Sequence, residues 1–118
     1  MRAFRNLLVW ERAHALTLEI YEATAGFPNE ERFGLTSQLR RGASSIPTNL
    51  AEGCGRNSRA DMARFVDYAS GSASEVEYLL LLSCELGYLD EPRRARLAGE
   101  VTTIRKMLAG LSRRLRDA

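Results

Sequence analysis

Residues 34–56 read GLTSQLRRGASSIPTNLAEGCGR, and the fold turns on this stretch. Leu35, Leu39, Ala43, Ile46, Leu50 and Cys54 recur at steps of three and four, the spacing of one helical face. Gln38, Arg41, Ser45, Asn49, Glu52 and Arg56 form a second stripe with the same spacing, and it is polar throughout. The pattern predicts one helix with Pro47 near its middle. The outer face of a helix in a small bundle usually carries interchangeable Lys and Glu. Here the amide, guanidinium, hydroxyl and carboxylate groups can satisfy one another in a network. The helix is therefore expected to pack on two sides, once into its own core and once against another body.

Three more helical patterns flank it. Val9, Ala13, Leu16, Ile20, Ala23 and Phe27 step 4-3-4-3-4, a heptad seam over about Asn6 to Ala25, with Trp10, Thr17, Tyr21 and Thr24 widening its apolar face. Gly26 and Pro28 end that helix. The second helix is expected to start in the acidic stretch Asn29-Glu30-Glu31, where negative charge suits the helix dipole. Pro47 frees the carbonyl of Ala43 and should kink the helix, with Ser44 and Ser45 near enough to satisfy the freed group. A third helix opens on the capping box Ser58-Arg59-Ala60-Asp61. Its seam is Met62, Val66, Ala69, Ala73, Val76, Leu80 and Ser83, and Gly87 closes it. The small-residue run Ala69 to Ser74 lets another backbone come close. Asp90 caps a fourth helix with Pro92 in its first turn, and Leu97, Val101, Ile104, Leu108, Leu111 and Leu115 form its seam. Short links favour antiparallel neighbours. The fold expected for residues 1–118 is one all-α domain, an up-down-up-down four-helix bundle.

The 118 residues are 45% hydrophobic and 27% charged, as in an ordinary globular domain. No secretory signal or membrane-length apolar run is read. Cys54 and Cys84 lack metal or redox spacing and are read as reduced, buried thiols of a cytoplasmic protein. The net charge of +2 is unevenly placed: residues 60–91 hold one Arg against seven acids, and residues 92–118 hold seven Arg and one Lys against two acids. An acidic and a basic helix can pair within a chain or between copies, or the basic tail can meet nucleic acid. Arg93, Arg94, Arg96, Arg105, Lys106, Arg113, Arg114 and Arg116 would make the fourth helix's outer face either a solvated surface or a phosphate-contacting one. No aromatic residue interleaves with these charges, so no base-stacking platform is indicated there.

Catalytic readings are weak. Glu11 and His14 have the Glu-x-x-His spacing of di-iron bundles, but such sites need two of these motifs and two further carboxylates, and His14 is the only histidine. Neither a metal nor a cofactor is expected. Glu52 and Glu75 are the best carboxylate pair. A general acid–base role is open to them, but carboxylates bridged by Arg41 or Arg56 are the plainer reading.

Val9-Trp10 with Ala13, Tyr21, Phe27-Pro28, Glu31, Phe33-Gly34-Leu35, Gln38-Leu39-Arg40-Arg41, Ser45-Ile46-Pro47, Asn49-Leu50-Ala51-Glu52-Gly53, Arg56, Phe65, Ala69, Gly71-Ser72 and Glu75 together form a recognisable signature. The chain resembles the small bacterial four-helix-bundle proteins named after open reading frames in intervening sequences of 23S rRNA genes. It is also similar to the accessory variability determinants of diversity-generating retroelements. The resemblance implies a left-handed bundle, a ring of five subunits and no established enzymatic activity. For the retroelement branch it implies binding to nucleic acid and to a reverse transcriptase.

The expectation is therefore a non-catalytic homo-oligomeric scaffold, pentameric by resemblance, that binds RNA or a nucleoprotein partner. Arg93, Arg94, Arg105, Lys106, Arg113, Arg114 and Arg116 are its candidate nucleic-acid contacts. Gln38, Arg41, Ser45, Asn49, Glu52, Arg56, Gly71, Ser72 and Glu75 are its candidate subunit interface. The alternatives are a small-molecule binder or enzyme using the polar stripe with Glu75, and a pure protein-interaction ring.

Overall fold

The computed structural model describes residues 3–117. Helices α1 (Leu8–Thr24), α2 (Leu35–Cys54), α3 (Arg59–Glu85) and α4 (Glu91–Arg116) make up nearly all of it, with short 3-10 turns at Phe4–Asn6 and Asn29–Glu31. No strand occurs among the described residues. Each helix packs on its neighbours in sequence, and α4 returns to α1. The cross-helix contacts fix the directions. Thr17 and Thr24 of α1 meet Ala43 and Arg40 of α2, and Gly42 and Gly53 of α2 face Val76 and Phe65 of α3. Glu77 and Asp67 of α3 meet Arg105 and Arg116 of α4. Numbers rise along one helix as they fall along the next, so all neighbours are antiparallel. The result is an up-down-up-down bundle 46 Å long.

The four seams are the core. Every residue of the α2 seam from Leu35 to Cys54 is buried, as are Val9 to Phe27, Met62 to Ser83 and Leu97 to Leu115 at the positions named above. Removing these apolar stripes from water is the main stabilising term. The caps are also as read: the Ser58 hydroxyl accepts from the Asp61 amide at 3.0 Å, and the Asp90 carboxylate accepts from the Arg93 amide at 2.8 Å. Gly87 takes φ +83°, a left-handed conformation that suits glycine.

Several local expectations are corrected. The acidic stretch lies outside α2: residues 29–31 form a separate turn, and the helix begins at Leu35. Glu31 nevertheless caps it, because its carboxylate accepts from the Leu35 amide at 3.1 Å. Gly34 makes room for this, since a Cβ there would lie 2.8 Å from Glu31 Oε1. Neither Ser44 nor Ser45 covers the carbonyl freed by Pro47. Buried Thr17 of α1 donates to Ala43 O at 3.1 Å, sharing its proton with Ala13 O at 2.9 Å. Tyr21 is exposed instead of widening the apolar face. Its ring lies against Arg40, whose guanidinium carbon is 4.6 Å from the centroid. Trp10 is only half-buried, packed between Phe4 and exposed His14, with His14 stacked on it at 5.0 Å. Cys84 is half-buried rather than buried, and its thiol donates to Glu91 at 3.4 Å.

Candidate functional site

The polar stripe of α2 runs beside α3, where the two helices come close. Gly42 permits the approach: a Cβ there would sit 3.2 Å from Val76 Cγ2 and 3.4 Å from Glu75 Oε1. At mid-helix the stripe is internally bonded. The hydroxyls of Ser45 and Ser72 bond each other at 2.9 Å, and the Asn49 amide donates to Ser45 O at 2.8 Å and to its Oγ at 3.0 Å. At its ends it is not. Gln38, Arg41, Glu52 and Glu75 are exposed, and among the described residues their side chains have no hydrogen-bond or ion-pair partner. Arg56 lies over the Phe65 ring at 4.6 Å instead of bridging a carboxylate. The expected Arg bridge between Glu52 and Glu75 is therefore not formed among the described residues: Arg41, Glu52 and Glu75 are exposed on their own helices, and Arg56 lies past the end of α2. Gly71 is exposed, with open space where a Cβ would be. Gln38, Arg41, Gly42, Ser45 and Glu75 line a polar depression of about 410 Å³.

The basic face of α4 is more divided than its sequence implies. Arg94 holds Glu91 through two hydrogen bonds of 2.7 and 2.6 Å. Arg93 reaches Glu22 at 3.6 Å, Arg105 reaches Glu77 at 2.6 Å, and Arg116 reaches Asp67 at 2.8 Å. Arg96 pairs with Glu19. In the other direction, Glu100 of α4 takes Arg12 of α1 at 2.9 Å. The acidic and basic helices thus pair within the chain, one of the readings open at the outset. Lys106, Arg113 and Arg114 make no ion pair among the described residues. Lys106 and Arg114 flank an apolar groove of about 370 Å³ between α1 and α4, which exposed Leu8 and half-buried Met107 also line.

Electrostatic shifts follow these pairs. The Glu91 carboxyl is lowered to about 2, first by its hydrogen bonds from Arg94 and then by that from Cys84. Asp67 is held below the usual carboxylate range chiefly by Arg116. Burial raises the Cys84 thiol, and Glu91 raises it further. Among the described residues no group of three or more His, Cys, Asp or Glu side chains converges as a metal site would require. No helix among the described residues is long and apolar enough to cross a membrane.

Three contributors were not legible as such in the sequence. Thr17 looked like a flank of the apolar face, and its acceptor lies 26 positions away on another helix. Arg59, inside a capping box, turns its side chain to the far end of the chain. It donates to Arg114 O at 2.5 Å and to Leu115 O at 3.3 Å, covering carbonyls at the C-terminus of α4. The third is the exposed Arg–aromatic cluster at the α1–α2 end. Tyr21, Phe33 and Arg40 stood in the signature motifs, but nothing in the sequence brought them to one place with Arg32.

A family model described as 23S rRNA-intervening sequence protein matches residues 5–110. The fold is similar to a crystal structure of a protein of unknown function from the S23 ribosomal protein family of Bacteroides thetaiotaomicron. That likeness has a TM-score of 0.80 at 24% identity, over 89% of this chain and 98% of the other. Comparison with curated proteins returned no match.

Proposed function

We propose that this chain, which belongs to the 23S rRNA-intervening sequence protein family, acts as a non-catalytic homo-oligomeric scaffold for RNA or a nucleoprotein. The observation that carries the proposal is the α2/α3 face. Gln38, Arg41, Glu52 and Glu75 have no side-chain partner among the described residues, and small residues beside them allow close approach. A second copy offers the complementary set, and one heterologous contact repeated by a rotation closes a ring. Five subunits is the count the family resemblance implies. A cytoplasmic location accords with this reading. The RNA contact falls to Lys106, Arg113 and Arg114, the cations of α4 that meet no carboxylate among the described residues. Arg93, Arg94, Arg105 and Arg116 would have to give up an intrachain pair to reach a phosphate.

Native mass measurement tests assembly, with a closed oligomer expected; a monomer at tens of micromolar (about the range where modest interfaces already assemble) would sink the proposal. Pull-down from the native host with sequencing tests the RNA. The variant K106E/R113E/R114E should remain folded, because it breaks no ion pair among the described residues, and should lose RNA; equal capture at the same salt would remove α4 as the contact. The polar depression around Gly42 favours a second reading, a small-molecule site using Arg41 and Glu75. A metabolite that copurifies and is lost in Glu75→Gln would favour it.

A further inference from the structure

The α1–α2 end carries a second concentration of unpaired positive charge, and here it is mixed with open aromatic rings. Tyr21, Arg32, Phe33, Thr36, Arg40 and Arg41 line a cleft of about 440 Å³, within the size range of small-ligand sites. Phe33 is 84% exposed, the most exposed large hydrophobic side chain described. Arg32 lies over its ring at 4.6 Å. Tyr21 is 44% exposed, with Arg40 over its ring at the same distance. Arg40 is fixed there by bonds to Thr24 Oγ1 at 2.8 Å and Tyr21 O at 3.2 Å. None of the three arginines meets a carboxylate among the described residues. Thr36 Oγ1 is the one buried side-chain polar atom in the described residues without a hydrogen-bond partner.

An isolated exposed phenylalanine needs no explanation. Two exposed rings, each with a guanidinium on one side, are a different matter, even with Arg41 left to the subunit contact. They offer flat apolar surface for stacking next to donors shaped for phosphate. We infer that this cleft binds a nucleotide, its base stacked on Phe33, the more open of the two rings, and its phosphate held by Arg32 and Arg40. The site lies apart from Lys106, Arg113 and Arg114, so it stands or falls independently of the α4 contact. The nucleotide can be free or one unit of a single strand, because the stacking and phosphate contacts are the same for both.

Fluorescence anisotropy with a short labelled oligouridylate tests the inference, with native mass recorded for every variant. Wild type should bind. Phe33→Leu keeps the apolar bulk and removes the stacking face, and should weaken binding at least about fivefold, the low end for one base–aromatic stack. Arg32→Gln should weaken it several-fold in the same assay, with the oligomer mass unchanged in both. Competition by uridine monophosphate identifies the source: displacement at concentrations comparable to those of the unlabelled oligomer indicates a free nucleotide, and displacement only at far higher concentrations indicates a strand. K106E/R113E/R114E separates the two surfaces, since residual binding to that variant should still fall with Phe33→Leu. The inference is overturned if wild type does not bind, if Phe33→Leu binds equally, or if the loss accompanies a changed native mass. The last outcome would make this face a contact between copies of the chain.

Discussion

Thr17 shows how much one hydroxyl can carry. Pro47 cannot donate to Ala43 O, and a buried carbonyl left without a donor costs free energy. Thr17 supplies that donor from the neighbouring helix. Thr17→Val keeps the shape and removes the proton, so urea unfolding should show a loss of about 1–3 kcal/mol, and Thr17→Ser should restore most of it. Glu91 gives a pH-dependent counterpart. Its folded pKa, about 2, lies below the ordinary 4.5. Its contribution is therefore fully present above the unfolded value and disappears as pH falls from there through the folded value. The acid limb of a melting-temperature profile should flatten in Glu91→Gln. The same variant should make Cys84 react faster with a thiol reagent near pH 8, because the neighbouring carboxylate helps to raise the thiol. An unchanged rate would mean that burial alone protects it.

At the scale of the element, the glycines divide by what surrounds them. Gly53 of α2 faces α3 so closely that a Cβ would lie 3.1 Å from Phe65 Cβ and 3.4 Å from Met62 O. Gly53→Ala should therefore push the two helices apart and destabilise by about 1–3 kcal/mol, as overpacking does. Gly71 and Gly99 have nothing within 4 Å of the same position. Alanine there should stabilise the single chain by about 0.5–1 kcal/mol, the helix-interior difference between the two residues. Gly71 separates fold from assembly. If a second copy packs on α3, Gly71→Ala should raise chain stability in denaturant yet shift native mass toward smaller species. A rise in stability with no change in mass would place the subunit contact elsewhere.

For the whole molecule, the question is which charges hold the chain together and which remain available. Among the described residues seven ion pairs lie on the surface, five of them linking different helices. Exposed pairs contribute about 0–1 kcal/mol each, so these pairs set partners and register more than stability. Glu52 is outside them. Glu52→Ala should leave the stability of the isolated chain within about 0.5 kcal/mol of wild type, as surface changes away from a network do. A larger loss that grows with protein concentration, read by thermal melts at several concentrations, would report a partner on another copy.

The sequence by itself determined the four seams, their antiparallel order and the caps at Ser58 and Asp90, because helical periodicity and capping are local: each depends on residues three or four positions apart. The same locality let it point to the polar stripe as a distinct face. The tertiary structure decided which polar groups on that face and on α4 are already satisfied. Seven cations of α4 looked alike as phosphate contacts in sequence, yet four of them meet carboxylates on α1, on α3 or near their own helix start. Thr17 found its acceptor, and Arg32, Phe33 and Arg40 gathered around one cleft, only once the helices had packed. Such pairings depend on the rotation and offset of one helix against the next. Those quantities come from the packing of whole faces, and no window of the sequence contains them.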